Sequence, residues 1–491
     1  MSDVSSAATQ YDRRNEVVVA GTIDSDSWRD EVSRLLDEGN RFVGLYGLDA
    51  GTPGGAAYGG PVRALFAGAE GLRLLTCRPS PEGVPSLVDL IPAAGWDERE
   101  THDAYGVHFP GHEPLRPLLR HDLDLASWTV PVRGHDPFQV AVGPIHAGVI
   151  ESGHFRFHVV GERILHLDVR LFYKHRGLER AAEGRTPAEA LRHVQRACAA
   201  CAVSNSVAFA HAYESASGMW PTPELARART LLLELERLYN HLNDIGAACA
   251  GVGFALGSMA FAALKERAHR LNAQLAGHRF LFDTVRLGES KIEVSAAAAD
   301  QARRELADLG IDARKAWHEV IFNGSVQDRF VGVGLLSEAD ARRMGAVGPA
   351  ARAAGAISDA RTRSPRLAYE QFVPSSLRRP EGDVASRVNM RALEVDVTLA
   401  LLDELLSHAV EPAGSSRAAD AQPVGVGIVE SPRGETVCIV EIDGPLVERL
   451  HLRTASYANW PALAHASVGS LLPDFPLINK SFELCYSCSD R

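Results

Sequence analysis

Two Cys-x-x-Cys pairs, separated by more than half of the 491-residue chain, constrain the fold more than any other feature. Cys198 and Cys201 lie in the run Arg196-Ala197-Cys198-Ala199-Ala200-Cys201, and Cys485 and Cys488 in Cys485-Tyr486-Ser487-Cys488, just ahead of Arg491. A thiolate pair at this spacing can chelate one ion from a single turn, and two pairs supply the four sulfurs that zinc, an iron–sulfur cluster or nickel would accept. Zinc ribbons keep their pairs roughly 15–20 residues apart, so these pairs can meet only if the last turn of the chain is threaded back into the middle of the fold. Such a centre fits catalysis better than local stapling. On the residues alone, a Cys₄ zinc site and unliganded core cysteines stay open. Cys77, Cys249 and Cys438 are isolated and read as core filler.

The balance of 51 basic against 62 acidic residues gives a formal charge of −11, so a nucleic-acid partner has no electrostatic support. A hydrophobic content of 46% allows sizeable cores in two or three domains, and seven cysteines in a chain of this size fit a reducing compartment. The start, Met1-Ser2-Asp3-Val4-Ser5-Ser6, has neither a charged region leading into an apolar stretch nor a twin-arginine signal, so export by its own signal is not expected. Ile245–Leu264 carries no charged residue. Its many Gly and Ala residues favour a buried bundle helix over a membrane span.

Residues 15–120 read as a small α/β unit, with apolar runs such as Val17–Gly21, Phe42–Tyr46 and Leu72–Cys77 separated by Gly/Pro turns. Pro110–Pro137 reads as a linker. Thr186-Pro187-Ala188-Glu189 is a capping box that starts a helix leading into Cys198, and the apolar spacing from Leu225 to Leu242 predicts a core helix begun by Thr222. Gly414–Gln422 reads as an exposed loop, followed by a β-hairpin over Val424–Ile428 and Thr436–Ile442.

Several runs resemble the large subunit of membrane-associated [NiFe] hydrogenases of the formate hydrogenlyase type and, through it, the 49 kDa subunit of respiratory complex I. Trp96–His112 resembles the signature of the complex I 30 kDa subunit, which that type carries fused ahead of the large-subunit region. Gly143–Gly148, Glu151–Phe155, Arg176-Gly177-Leu178-Glu179, Ser431–Glu435, Tyr457–Pro461 and Cys485–Arg491 resemble the ordered motifs of the large subunit. The resemblance implies an α+β fold. A small N-terminal α/β domain over residues 1–120 and a linker over 121–140 would precede a large, mostly α-helical hydrogenase domain over 141–491 with peripheral β-hairpins.

It further implies a nickel–iron centre whose iron bears CO and cyanide, with Cys198 and Cys485 as terminal nickel ligands and Cys201 and Cys488 bridging the metals. Glu179 would be the first proton relay, and Arg433 would turn its permanent, planar guanidinium toward the cyanides. Asn205 stands where the family has a histidine, Ala199 where it has a glycine, and Glu483-Leu484 where it has Asp-Pro. Asn205 can donate a hydrogen bond but cannot titrate. Arg491 occupies the position after which a maturation protease cuts in such subunits.

The implied activity is interconversion of dihydrogen with protons and electrons. Implied partners are an iron–sulfur small subunit, formate dehydrogenase and membrane subunits, and maturation factors, with the protein held at the inner face of the cell membrane. Two other functions remain open: a metal-free scaffold that retains the cysteines, and a quinone-linked subunit of an NADH dehydrogenase with His146 near the quinone head group.

Overall fold

The computed structural model describes residues 17–51, 59–122, 124–133, 136–146, 151–370, 372–417 and 419–491. Met1–Ser6, and Ala147-Gly148 of the run beginning at Gly143, lie outside them. The chain divides into two compact units, residues 1–127 and 128–491.

The first unit contains β1 (Val17–Asp24), α1 (Ser25–Asp37), β2 (Arg41–Gly47), β3 (Val62–Gly68), β4 (Gly71–Arg78) and α2 (Gly95–Tyr105). Its sheet has the order β1-β4-β3-β2, with β1 parallel to β4 and the other pairs antiparallel. Trp28, Val32, Phe66, Leu75 and Phe109 fill the core. The charged signature on α2 faces inward. Glu98 accepts from Ser86 Oγ (2.7 Å) and Leu87 N (2.6 Å), Asp103 from Leu118 N and Leu119 N, and Arg99 donates to the carbonyls of Arg116 and Pro117. These side chains saturate the backbone of irregular segments that have no ladder of their own.

The single-turn α3 (Leu125–Trp128) falls in the stretch expected to be linker, and β5 (Phe138–Val142) runs past its end at residue 140. The second unit continues with β6 (His154–Val160), β7 (Arg163–Arg170), α4 (Leu178–Ala182), α5 (Pro187–Gln195), α6 (Ala202–Ala216), β8 (Met219–Pro221), α7 (Pro223–Gly251), α8 (Ala255–Ala276), β9 (Glu289–Ser290), α9 (Ala296–Ile321), α10 (Gly324–Phe330), α11 (Glu338–Arg343), α12 (Gly348–Ala353), α13 (Val384–Leu405), β10 (Ala413–Arg417), β11 (Val424–Ser431), β12 (Gly434–Asp443), β13 (Leu446–Arg453), α14 (Ala455–Ser467), α15 (Phe475–Phe482) and α16 (Tyr486–Asp490). Helices α7, α8, α9 and α13 pack as a four-helix bundle. Strands β5-β6-β7 and β11-β12-β13 are antiparallel meanders. The α+β class stands.

The capping box at Thr186 forms with both of its hydrogen bonds, and Thr222 caps α7. Three local expectations change. The uncharged stretch 245–264 is not one helix, because the chain turns at Gly253 (φ +72°) between α7 and α8, leaving Leu256 and Met259 exposed. No helix among the described residues is long and apolar enough to cross a membrane. The stretch expected to be an exposed loop from Gly414 begins as β10, since its small residues let the backbone pair with β8 and β9. The C-terminal hairpin is central rather than peripheral: β11 and β12 are almost wholly buried. Gly425 and Gly427 make this possible. A Cβ there would stand 2.0 Å from Ala212 O and 1.9 Å from Ala208 O of α6.

Gly427→Ala is therefore expected to lower stability by at least about 1–3 kcal/mol through overpacking against backbone, whereas Gly324→Ala, with open space around it, should be neutral. Thermal midpoints of the two variants check this. In the first unit, Glu98→Ala strands buried donors at a cost of about 1–3 kcal/mol, so hydrogen exchange should quicken in β3 and β4 while α7 and α13 stay protected.

Candidate metal centre

The first thiol pair follows α5 directly. Cys198 caps the 3₁₀ turn Ala199–Cys201, and Cys201 caps α6. The turn is held from α7: Tyr239 Oη donates to Ala199 O (3.3 Å), Asn240 Nδ2 donates to Ala200 O (2.8 Å), and Glu236 accepts from Val203 N (2.6 Å) and Ser204 N (3.0 Å). An acceptor carboxylate at the start of α6 suits the helix dipole, and burial pushes Glu236 up to about 7.

The second pair is carried by α16. Cys485 N donates to Ser456 Oγ (2.9 Å), Thr454 Oγ1 donates to Cys488 O (3.0 Å), and Cys488 N donates to Cys485 Sγ (3.4 Å). All four cysteines cluster, three of them buried and Cys485 partly exposed. Cys485 Sγ lies 3.1 Å from Cys198 Sγ, and the sulfurs of Cys198, Cys485 and Cys488 are mutually within 4.8 Å. Hydrogen bonds from the thiols of Cys201, Cys485 and Cys488, with the charge of Arg433, hold the Cys198 thiol well below the ordinary cysteine range. The other three are pushed up, first of all by their hydrogen bonds to Cys198.

Arg433 reaches this cluster from the turn between β11 and β12. Its Nη1 stands 3.8 Å from Cys201 Sγ and donates to Asn240 Oδ1 (2.8 Å), its Nε donates to Glu483 O (2.5 Å), and its Nη2 lies 3.8 Å from Asp244 Oδ1. Glu483, in place of the family's Asp, adopts a left-handed conformation (φ +48°) at the end of α15, which turns its carbonyl to the guanidinium. Asn205 sits one helical turn after Cys201, fully buried, with neither side-chain polar atom partnered. An orphaned buried amide costs about 1–3 kcal/mol. Soft donors in a buried cluster, a permanent cation beside them and that amide one turn away fit a soft metal with further small ligands.

Glu179 and His146 hold partners other than the four cysteines. Glu179 on α4 accepts from Leu452 N (2.8 Å) and Arg491 Nε (2.8 Å), with His451 Nδ1 at 3.5 Å and Arg449 Nη2 at 3.9 Å. Burial opposes its ionisation, but Arg491, His451 and Arg449 outweigh it and hold the carboxyl well below its usual range. Arg491 also stacks 4.7 Å over the ring of Tyr457. Asp490 accepts from Phe172 N and Lys174 N. This corner is an anchor for the buried chain end. His146 Nε2 pairs with Gly153 O (2.8 Å), and its ring stands 6.1 Å from Phe155; it clamps its own loop.

Two residues of the quoted motifs had no assigned role and prove central. Glu151 accepts from Ser487 N (2.7 Å) and from Ser487 Oγ, between the two cysteines of the second pair, and its charge helps to raise the Cys485 thiol. Arg176 donates to Arg196 O (3.1 Å) and Ala197 O (2.9 Å) before the first pair and to Ser487 O (3.5 Å) inside the second. A carboxylate three residues ahead of a strand gives no periodic signal of such a role. Only the pairing of the two loops does.

The family of the respiratory-chain NADH dehydrogenase 49 kDa subunit matches residues 252–426 and 420–491, and that of the 30 kDa subunit matches residues 22–139. Formate hydrogenlyase subunit 5 of Escherichia coli (strain K12) is 31% identical over 446 residues, covering 83% of this chain and 77% of its own length. Hydrogenase-4 component G of the same organism is 30% identical, with 83% and 76% covered. A chain from the structure of the membrane-bound sulfane sulfur reductase, an archaeal respiratory membrane complex, shares the fold at TM-score 0.66 and 24% identity, over 72% of this chain and 99% of that one. With both complex I subunit families represented in one polypeptide and the four cysteines gathered at one point, the chain belongs to the family of hydrogenase large subunits that includes formate hydrogenlyase subunit 5, as an oxidoreductase of the hydrogenase type.

Proposed function

We propose that the chain is the catalytic large subunit of a membrane-associated [NiFe] hydrogenase of the formate hydrogenlyase kind, with Cys198, Cys201, Cys485 and Cys488 holding the metals. The observation that carries this reading is the convergence of four cysteines from opposite parts of the sequence beside the Arg433 guanidinium. When bound, a nickel–iron group carrying CO and cyanide supplies the chemistry by which dihydrogen is split or formed. Arg433 and the unpartnered amide of Asn205 are the donors available to its small ligands.

Proton exchange is assigned to Glu151 rather than to Glu179. A general acid or base must reach the group it serves and be free to change charge. Glu151 bonds to Ser487 beside the one partly exposed thiol, Cys485, whereas Glu179 is fixed as an anion by Arg491 and its neighbours. Electrons must leave through another chain, because the remaining cysteines, Cys77, Cys249 and Cys438, are isolated and buried. The partners proposed are therefore an iron–sulfur small subunit, with formate-oxidising and membrane subunits around it, at the inner face of the cell membrane. A metal-free scaffold is the second reading, motivated by Ala199 and Asn205 at positions where the family differs.

Protein purified with its maturation factors is expected to hold nickel and iron in equal amount and to show infrared CO and cyanide bands, both lost in Cys488→Ser. Zinc, or no metal at all, would sink this reading in favour of the scaffold. Glu151→Gln should lower hydrogen turnover by about 10²–10⁴-fold with metal content unchanged. Glu179→Gln should instead loosen α16, seen as faster hydrogen exchange and lower metal content. Equal turnover in Glu151→Gln and wild type would remove Glu151 from the proton route.

A further inference from the structure

A buried ionic network lies apart from the cysteines, between α7, α12, α13, β11 and the 3₁₀ turn Ala360–Arg363. Among the described residues, three guanidinium groups in it face four carboxylates, all within a core closed to solvent. Arg237 Nε serves Glu234 Oε1 (3.2 Å). Arg361 serves Asp359 through Nε (3.0 Å) and Nη2 (2.7 Å). Arg352 serves Glu394 through Nε (3.0 Å) and Nη2 (2.5 Å).

The fourth carboxylate, Glu430, has no cation of its own. It shares Arg352 Nη1 (2.8 Å), which also faces Asp359 Oδ2 at 3.2 Å and donates to Ser358 O, and it accepts from Ala360 N (2.9 Å). His241, whose Nε2 meets Glu394 Oε2 at 2.9 Å and whose Nδ1 has no hydrogen-bond partner, is pushed below the ordinary histidine range by burial, which with Arg237 outweighs Glu394. Tyr369 Oη and Thr398 Oγ1 give their hydrogens to Glu234. Across the sheet, Glu430 is in register with Glu435 of β12, which has partners of its own and stands outside this count. An uncompensated charge in such a place is expensive, and the usual remedy is a proton.

We propose that Glu430 is a proton-binding site, the fourth carboxylate of this network, which takes one proton from water and so brings three arginines and four acids to neutrality. Burial and the nearby Asp359 carboxylate push its carboxyl up to about 7, in keeping with that geometry. Glu430 is the penultimate residue of β11, which leads through Ser431 and Pro432 into Arg433, and Arg237 holds the carbonyls of Glu430 (2.6 Å) and Ser431 (3.2 Å). The proton therefore sits three residues from the cation at the thiol cluster. Its role, compensating a change of charge at the centre, rests on the hydrogenase reading; the site itself does not, and metal-free protein suffices to test it.

The test is infrared difference spectroscopy of the full metal-free chain between pH 6 and pH 8, in the carboxylic-acid carbonyl region, for wild type and Glu430→Gln. The expected result is one acid band, titrating near neutrality, present in wild type and missing from the variant. Glu236 and Glu483, also pushed up to about 7, contribute equally to both spectra and cancel. Linkage gives a second reading. A raised carboxyl contributes full stability below its unfolded value and loses it as pH climbs toward 7. The thermal midpoint of Glu430→Gln relative to wild type should thus rise by on the order of 3–5 °C from pH 5 to pH 8. Identical difference spectra overturn the proposal, as does a midpoint difference constant with pH. If the variant does not fold, neutron diffraction on deuterated wild-type crystals at pH 6 decides: a deuteron on a Glu430 oxygen supports the site, and a bare carboxylate overturns it.

Discussion

The guanidinium of Arg176 bonds at once to backbone carbonyls ahead of the first thiol pair and inside the second. One planar cation with several fixed donors can bridge two loops in a way that a lysine could not. The rest of the site depends on that bridge. With the loops joined, Glu151 can hold Ser487, Asp490 can take the amides of Phe172 and Lys174, and Arg491 can pair with Glu179. The chain end is thus fixed by charge-assisted bonds on several sides, each stronger than its neutral equivalent, and the cysteines of α16 inherit their positions from it.

Much of this arrangement is legible in the residues. The two Cys-x-x-Cys pairs mark cysteines that do gather at one point, and the capping chemistry at Thr186 and Thr222 depends only on neighbours in sequence. The apolar runs after Gln422 mark both strands of the C-terminal hairpin. What escapes is whatever depends on distant partners. β10 forms because β8 and β9 offer their edges, not because Gly414-Ser415-Ser416 favours a strand. Glu151 and Glu179 are likewise told apart only by distant partners. Both are glutamates in recognisable motifs, and only the approach of Arg491 to Glu179 and of Ser487 to Glu151 distinguishes their surroundings.

The polar residues of the first unit give a complementary lesson. Glu98, Arg99 and Asp103 look like surface charge in a helix rich in acids and bases, yet each is committed to the backbone of an irregular segment. The same economy recurs in the second unit, where Glu236 and Asn240 hold the first thiol turn. In both units, buried polar side chains do the work that a ladder of strands does elsewhere, and they specify conformation because few alternative partners lie within reach.

The contact of α6 with β11 through Gly425 and Gly427 has a consequence for electron transfer. Cys201 caps α6, and Arg433 follows the end of β11. Backbone pressed against backbone leaves no side chain between the two elements to yield, so sulfur and guanidinium belong to a single stiff body. A redox site whose surroundings cannot relax far has a small reorganisation energy. On the function proposed above, an electron would then arrive or leave with little rearrangement of the protein, and the driving force needed for rapid exchange would be correspondingly slight.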